Sequence, residues 1–144
     1  MARILSVFLA LFIASAAVAA PVEQRQVGDL ACNVDRFKIV TTLASTGSAV
    51  GKINGTDPTI ATQVTAAQAG LTSSGEGIAA IALALVTGKD APAPARIQVK
   101  QGLLDAQSAL GNITDPTAAA SVATAQTSLA AAIVDGNAVV ADCK

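Results

Sequence analysis

Apolar residues recur along this chain at helical spacing, in four blocks separated by short polar turns. The first block holds Val34, Phe37, Val40, Leu43, Val50 and Ile53. The second runs Ile60, Val64, Ala67, Leu71, Ser74, Ile78, Ile81, Leu85, with gaps alternating between four and three as in a heptad seam. The third has Val99, Leu103, Ala106, Leu110 and Ile113, with Ile97 and Leu104 beside them. Val122, Ala125, Leu129, Ala132, Ile133, Val139 and Val140 form the fourth. A period near 3.6 gathers each set on one face of a helix. Strands are disfavoured, because alternating runs are rare and β-favouring aromatics almost absent.

The turns between the blocks carry helix signals. Asp29 is placed to cap the first helix, and Asn54 and Gly55 to close it in the left-handed conformation. Asp57 and Pro58 open the second: an Asp side chain accepts from free backbone N–H groups, and Pro wastes no N–H at the first helical position. Thr87 and Gly88 end that helix after about 45 Å. A loop, Lys89 to Ala95, leads to a third helix with Pro94 near its start, and Gly111 and Asn112 close it. Asp115 and Pro116 then open the fourth, 58 residues after Asp57 and Pro58. Val122, Gln126 and Leu129 repeat Val64, Gln68 and Leu71 at the same offset. The chain therefore reads as a duplicated helical hairpin: an all-α, up-down-up-down four-helix bundle with short loops.

Residues 1–19 change the picture of where the protein works. Arg3, the apolar run from Ile4 to Ala14 and the small residues Ala17-Val18-Ala19 make a secretory signal peptide cut after Ala19. Residues 20–28 read as a flexible tail, in which Arg25 offers a trimming site, and 29–144 as the bundle domain. No later segment shows an unbroken run of strongly apolar residues of spanning length, so no transmembrane segment is expected. Cys32 and Cys143 are the two cysteines of the chain, and in an exported protein such a pair reads as a disulfide. An up-down-up-down bundle brings the start of its first helix to the end of its fourth, where the two would meet.

Charge and side-chain chemistry exclude several functions. The net charge is −1 over the whole chain, with only 13% charged residues, so no basic face is on offer to nucleic acid. Phe37 is the one aromatic beyond the leader, which removes ring stacking on sugars or bases. His is absent, so a Ser-His-Asp triad cannot form and a zinc site lacks ligands. Glu76 stands alone between Asp57 and Asp90, without a partner for acid–base chemistry, and belongs on the solvent face. No catalytic residue, metal ligand or cofactor site emerges, and the expected class is non-enzymatic.

Three features remain as candidate sites. Asn54-Gly55-Thr56 and Asn112-Ile113-Thr114 are N-glycosylation sequons in turns at the end opposite the cysteines, where Asn also serves to end a helix. Gly70 and Gly77 sit seven apart in the second helix, at a cost of about 1 kcal/mol each relative to Ala. They serve either close helix packing or a groove for an apolar ligand. Finally, a surface built of Ala, Thr, Ser, Gln and Gly with few charges suits adsorption to apolar material, or a coat of glycans.

In Asp57-Pro58-Thr59-Ile60-Ala61-Thr62-Gln63-Val64 and Gly102-Leu103-Leu104-Asp105-Ala106-Gln107-Ser108-Ala109-Leu110, and in its general pattern over about Asp29 to Lys144, the chain resembles the fungal hydrophobic surface-binding protein A and cell wall galactomannoprotein group. Hydrophobins, with their eight cysteines, are a different group. The resemblance implies a secreted helical protein of the cell wall or medium whose relatives coat hydrophobic surfaces and recruit secreted polyester-degrading hydrolases there. A carrier holding a lipid within the bundle near Gly70 and Gly77, and a secreted effector binding a host protein, are the alternatives.

Overall fold

The computed structural model describes residues 30–143, and these form four helices without a strand. The helices are α1 (Leu30–Val50), α2 (Pro58–Val86), α3 (Ala93–Gly111) and α4 (Ala119–Asp142). They run up, down, up and down, as the turn spacing predicts. The leader, the tail and the capping residue Asp29 lie outside the described residues.

Local chemistry sets most of the helix ends. Asp57 Oδ1 accepts from the N–H groups of Thr59 at 2.7 Å and Ile60 at 3.3 Å, with Pro58 in the first turn. At the far end of α2, Gly88 takes φ +71°, the single left-handed residue among those described. That geometry lets the Lys89 N–H reach the Ala84 carbonyl at 2.9 Å and the Gly88 N–H reach Leu85 at 3.0 Å, the paired bonds of a Schellman stop.

Two ends depart from expectation. Helix α1 stops at Val50, and Ile53 is buried within a following turn held by Lys52 N–H to Ala49 O and Ile53 N–H to Val50 O, both 3.1 Å. Neither Asn54 nor Gly55 is left-handed. Instead Asn54 Oδ1 accepts from the Thr56 N–H at 3.1 Å and the Thr56 hydroxyl at 2.6 Å, an Asx turn that does the work of a backbone turn. In the second copy of the motif, Asp115 Oδ1 accepts from both the N–H (2.7 Å) and the hydroxyl (2.5 Å) of Thr117. The hydroxyl takes the place that the Ile60 N–H has on Asp57. A tight turn with Ala118 N–H on Asp115 O at 3.1 Å follows, and regular helix begins only at Ala119.

The helices associate as two close pairs, α2 with α3 and α1 with α4, while α1–α2 and α3–α4 meet more sparsely. Close pairing thus joins the two repeats; it does not lie within either hairpin. The α2–α3 pair is made of small residues. A Cβ on Gly70 would stand 2.5 Å from the Gly102 carbonyl, and one on Gly77 would stand 2.8 Å from the Ala95 carbonyl. Between them Ser74, fully buried, donates to the Val99 carbonyl at 3.0 Å. In the α1–α4 pair, Cys32 and Cys143 are bonded with their Cα atoms 5.0 Å apart. The aliphatic core lies where the two pairs face each other. Its largest wholly enclosed apolar side chains, Val50, Leu110 and Leu129, sit toward the sequon end.

Candidate functional site

The exposed apolar residues are not scattered over the bundle. Leu30, Val34 and Phe37 follow one another at spacings of four and three on α1, opposite the buried face of Cys32, Asp35 and Ile39. Leu83 and Val86 end α2, Ile97 and Leu104 lie in the first two-thirds of α3, and Val134 and Val140 close α4. The antiparallel order places seven of the nine in the half of the bundle that holds the disulfide, while Leu104, level with Thr72, and Val134, level with Thr41, lie at mid-height. Several are open to solvent over most of their surface: Leu30 by 77%, Ile97 by 68%, Val140 by 66% and Phe37 by 63%. They form a collar, since every helix contributes.

Past the level of Leu104 and Val134 the other half has no exposed large apolar side chain among the described residues. Its outer surface is Thr41, Ser45, Ser48, Thr62, Thr65, Thr72, Thr124 and Thr127, with the two sequon turns at its tip. A shallow open groove between α1 and α4 lies here, lined by Ser45, Ser48, Lys52, Ser121, Thr124 and Ser128. Asn54 and Asn112 are both exposed, as are Thr56 and Thr114, so each sequon is accessible.

The charges of the apolar half come in both signs. Arg36, Lys38, Lys89, Arg96 and Lys100 are there with Asp35, Asp90, Asp135 and Asp142. The Lys38 ammonium donates to Asp35 at 3.0 Å, which holds the Asp35 carboxyl below its ordinary range, against burial that pushes it up; Asp142 adds to the lowering. The same hydrogen bond raises Lys38. At the opposite end the Thr117 hydroxyl and then the Thr117 N–H lower Asp115. The long Lys and Arg stems can lie along apolar surface with their heads in water.

Of the two readings of Gly70 and Gly77, close packing has direct support, since a Cβ on either would run into backbone atoms of α3. Val34, Phe37 and Val140, read from periodicity as members of buried stripes, are exposed, because α1 turns Cys32, Asp35 and Ile39 inward and the buried row of α4, Val122, Ala125, Leu129 and Ala132, continues in step to Gly136 and Val139 and leaves Val140 beside it. Glu76 is on the solvent face as expected, with Gln98 Nε2 donating to it at 3.4 Å. Among the described residues no three His, Cys, Asp or Glu side chains gather as metal ligands. By length and composition α2 is apolar enough to cross a membrane, with a mean hydropathy of 1.5 over its best window, although its glycine face is taken up by α3.

The structure is that of a disulfide-stapled, all-helical bundle with one apolar end and one hydroxyl-rich end. No family model, curated protein or solved structure matches this chain.

Proposed function

We propose that this is a secreted, non-enzymatic, glycosylated protein of a fungal cell wall or medium that adsorbs to hydrophobic surfaces through its disulfide-bearing half. One observation carries the reading: seven of the nine exposed large apolar side chains among the described residues lie in that half and the other two at mid-height, while the hydroxyl-lined groove and both sequons lie toward the other end. Burial of apolar area is worth roughly 25 cal/mol per Å², so a collar of seven such residues gives a strong and undirected attraction to wax or polymer. The hydroxyl half, with glycans at Asn54 and Asn112, stays hydrated and keeps the coated surface wettable. The disulfide fits an oxidising, extracellular compartment. A hydrolase recruited to the coated surface is the partner that the resemblance implies.

The test is depletion of folded protein from solution by polystyrene beads. Binding should strengthen as sulfate is added, because excluded salts favour apolar burial. Phe37→Ser combined with Ile97→Ser should weaken adsorption several-fold without lowering the melting temperature, since neither side chain reaches the core. Ser48→Ala with Thr65→Ala, in the hydroxyl half, should change nothing. Wild-type protein that stays in solution above the beads at high salt would refute the reading. The close approach of α3 backbone to Gly70 and Gly77 favours this reading over a lipid carrier, whose ligand would need space beside them.

A further inference from the structure

The two close helix pairs are connected to each other at one end only. The chain passes between them through the α1–α2 turn and the α3–α4 turn, and both turns lie at the sequon end. At the opposite end, each covalent closure is internal to a pair. The loop with the Schellman stop joins α2 to α3, and the Cys32–Cys143 bond joins α1 to α4. The disulfide therefore does not clamp the bundle shut; it ties together two helices that already travel as one unit.

Hydrogen bonding follows the same division. Ser74 to Val99 and Gln98 to Glu76 both lie within the α2–α3 pair. Across the seam between pairs, the side-chain bond from Gln126 Nε2 to the Leu110 carbonyl, 3.5 Å, stands in the sequon half. The wholly sealed large aliphatics, Val50, Leu110 and Leu129, lie from the middle of the bundle to the sequon end, while partly buried ones occur along its length, Val64 and Ile113 at the sequon end and Ile78, Ile81 and Val139 toward the disulfide. The apolar contacts across the seam at the disulfide end are non-directional, and an apolar surface can replace them one for one.

The geometry points to a second, concealed interaction surface: the seam itself, which opens at the disulfide end as the two pairs part about the sequon-end turns, and whose occupant is an extended apolar surface. The collar makes first contact and the seam residues follow. The inference rests on the adsorption reading and adds a mechanism to it. An extended surface is favoured over an enclosed acyl chain because the mouth is already rimmed on every helix by exposed apolar residues.

Distances between spin labels on introduced cysteines test this, with the protein free and then bound to polystyrene nanoparticles. Phe37→Cys with Leu83→Cys reports across the seam at the mouth, at two exposed positions. Phe37→Cys with Val134→Cys reports within the α1–α4 pair, and Ser48→Cys with Thr62→Cys reports across the seam near the hinge. On binding, the first distance should lengthen by about the width of a helix, ~10 Å, while the other two hold. A bound protein with an unchanged Phe37–Leu83 distance overturns the opening and leaves adsorption standing. Lengthening of all three distances means general unfolding and also overturns it. Protein that fails to deplete onto the particles refutes both readings. One lipid per chain in native mass spectra, with the mouth closed, would identify a carrier and overturn it as well.

Discussion

A glycine-to-alanine series measures how close the α2–α3 contact is. A methyl group at Gly70 would lie 2.5 Å from the Gly102 carbonyl oxygen and 2.8 Å from the Ala106 nitrogen, both backbone atoms of a helix that cannot yield locally. Gly70→Ala must therefore push α2 and α3 apart. Overpacking of this kind costs about 1–3 kcal/mol, against a gain in helix propensity of about 1 kcal/mol. Because both contacts are with backbone and the whole interface must shift, the cost falls in the upper part of that range, about 2–3 kcal/mol, and leaves about 1–2 kcal/mol net. For a domain of this size that lowers the melting temperature by roughly 4–8 °C. Gly47 is the internal control. It lies in α1, and a methyl group added there would meet nothing within 4 Å. Gly47→Ala should therefore raise the melting temperature by about 2–4 °C through propensity alone. Gly136→Ala falls between, because its neighbour at 3.2 Å is the movable Ile39 Cδ1. Thermal unfolding followed by far-ultraviolet circular dichroism gives the ranking. If Gly70→Ala melts at or above wild type, the close-packing account is wrong and an open groove at α2 must be reconsidered.

Other outcomes follow from the caps, the staple and the charges. The Cys32–Cys143 bond closes a loop with a sequence separation of 111, so Cys143→Ala should cost on the order of 4–5 kcal/mol in the chain-entropy model; an unchanged denaturant midpoint would contradict this. Asp57→Ala should cost about 0.5–2 kcal/mol, since it frees the Thr59 and Ile60 N–H groups, and a neutral result would mean water replaces the carboxylate without loss. Asp35 and Asp115 are both depressed in the folded state, so the stability they contribute is present above the ordinary carboxylate range of about pH 4 and is lost as pH falls through their folded values. Lys38 is raised, and its share persists below its unfolded value and fades only in strong alkali. Melting temperatures should thus be level near neutrality and fall in acid, with a shallower fall in Asp35→Asn; an acid-independent profile would remove both carboxylates from the account.

Local signals in the chain determined a good deal. Four helices, their order and the meeting of Cys32 with Cys143 follow from apolar period and cap residues, because these act over a few neighbouring positions and each helix end is satisfied locally. Asp57 and Gly88 are legible for that reason. Pairing was not legible. Whether Gly70 and Gly77 meet a ligand or a backbone depends on which helix arrives opposite them, and that is decided by Gly102 and Ala95, on a different helix and beyond the reach of any local pattern. Periodicity also failed for Val34 and Phe37. A stripe of apolar residues shows that a face exists, but α1 has a second face, with Cys32, Asp35 and Ile39, which the disulfide and α4 pull inward. The gathering of seven of the nine exposed apolar residues toward one end of the bundle is likewise tertiary. Each is an ordinary position on its own helix, and only the antiparallel assembly brings the start of α1, the end of α2, the start of α3 and the end of α4 to the same level.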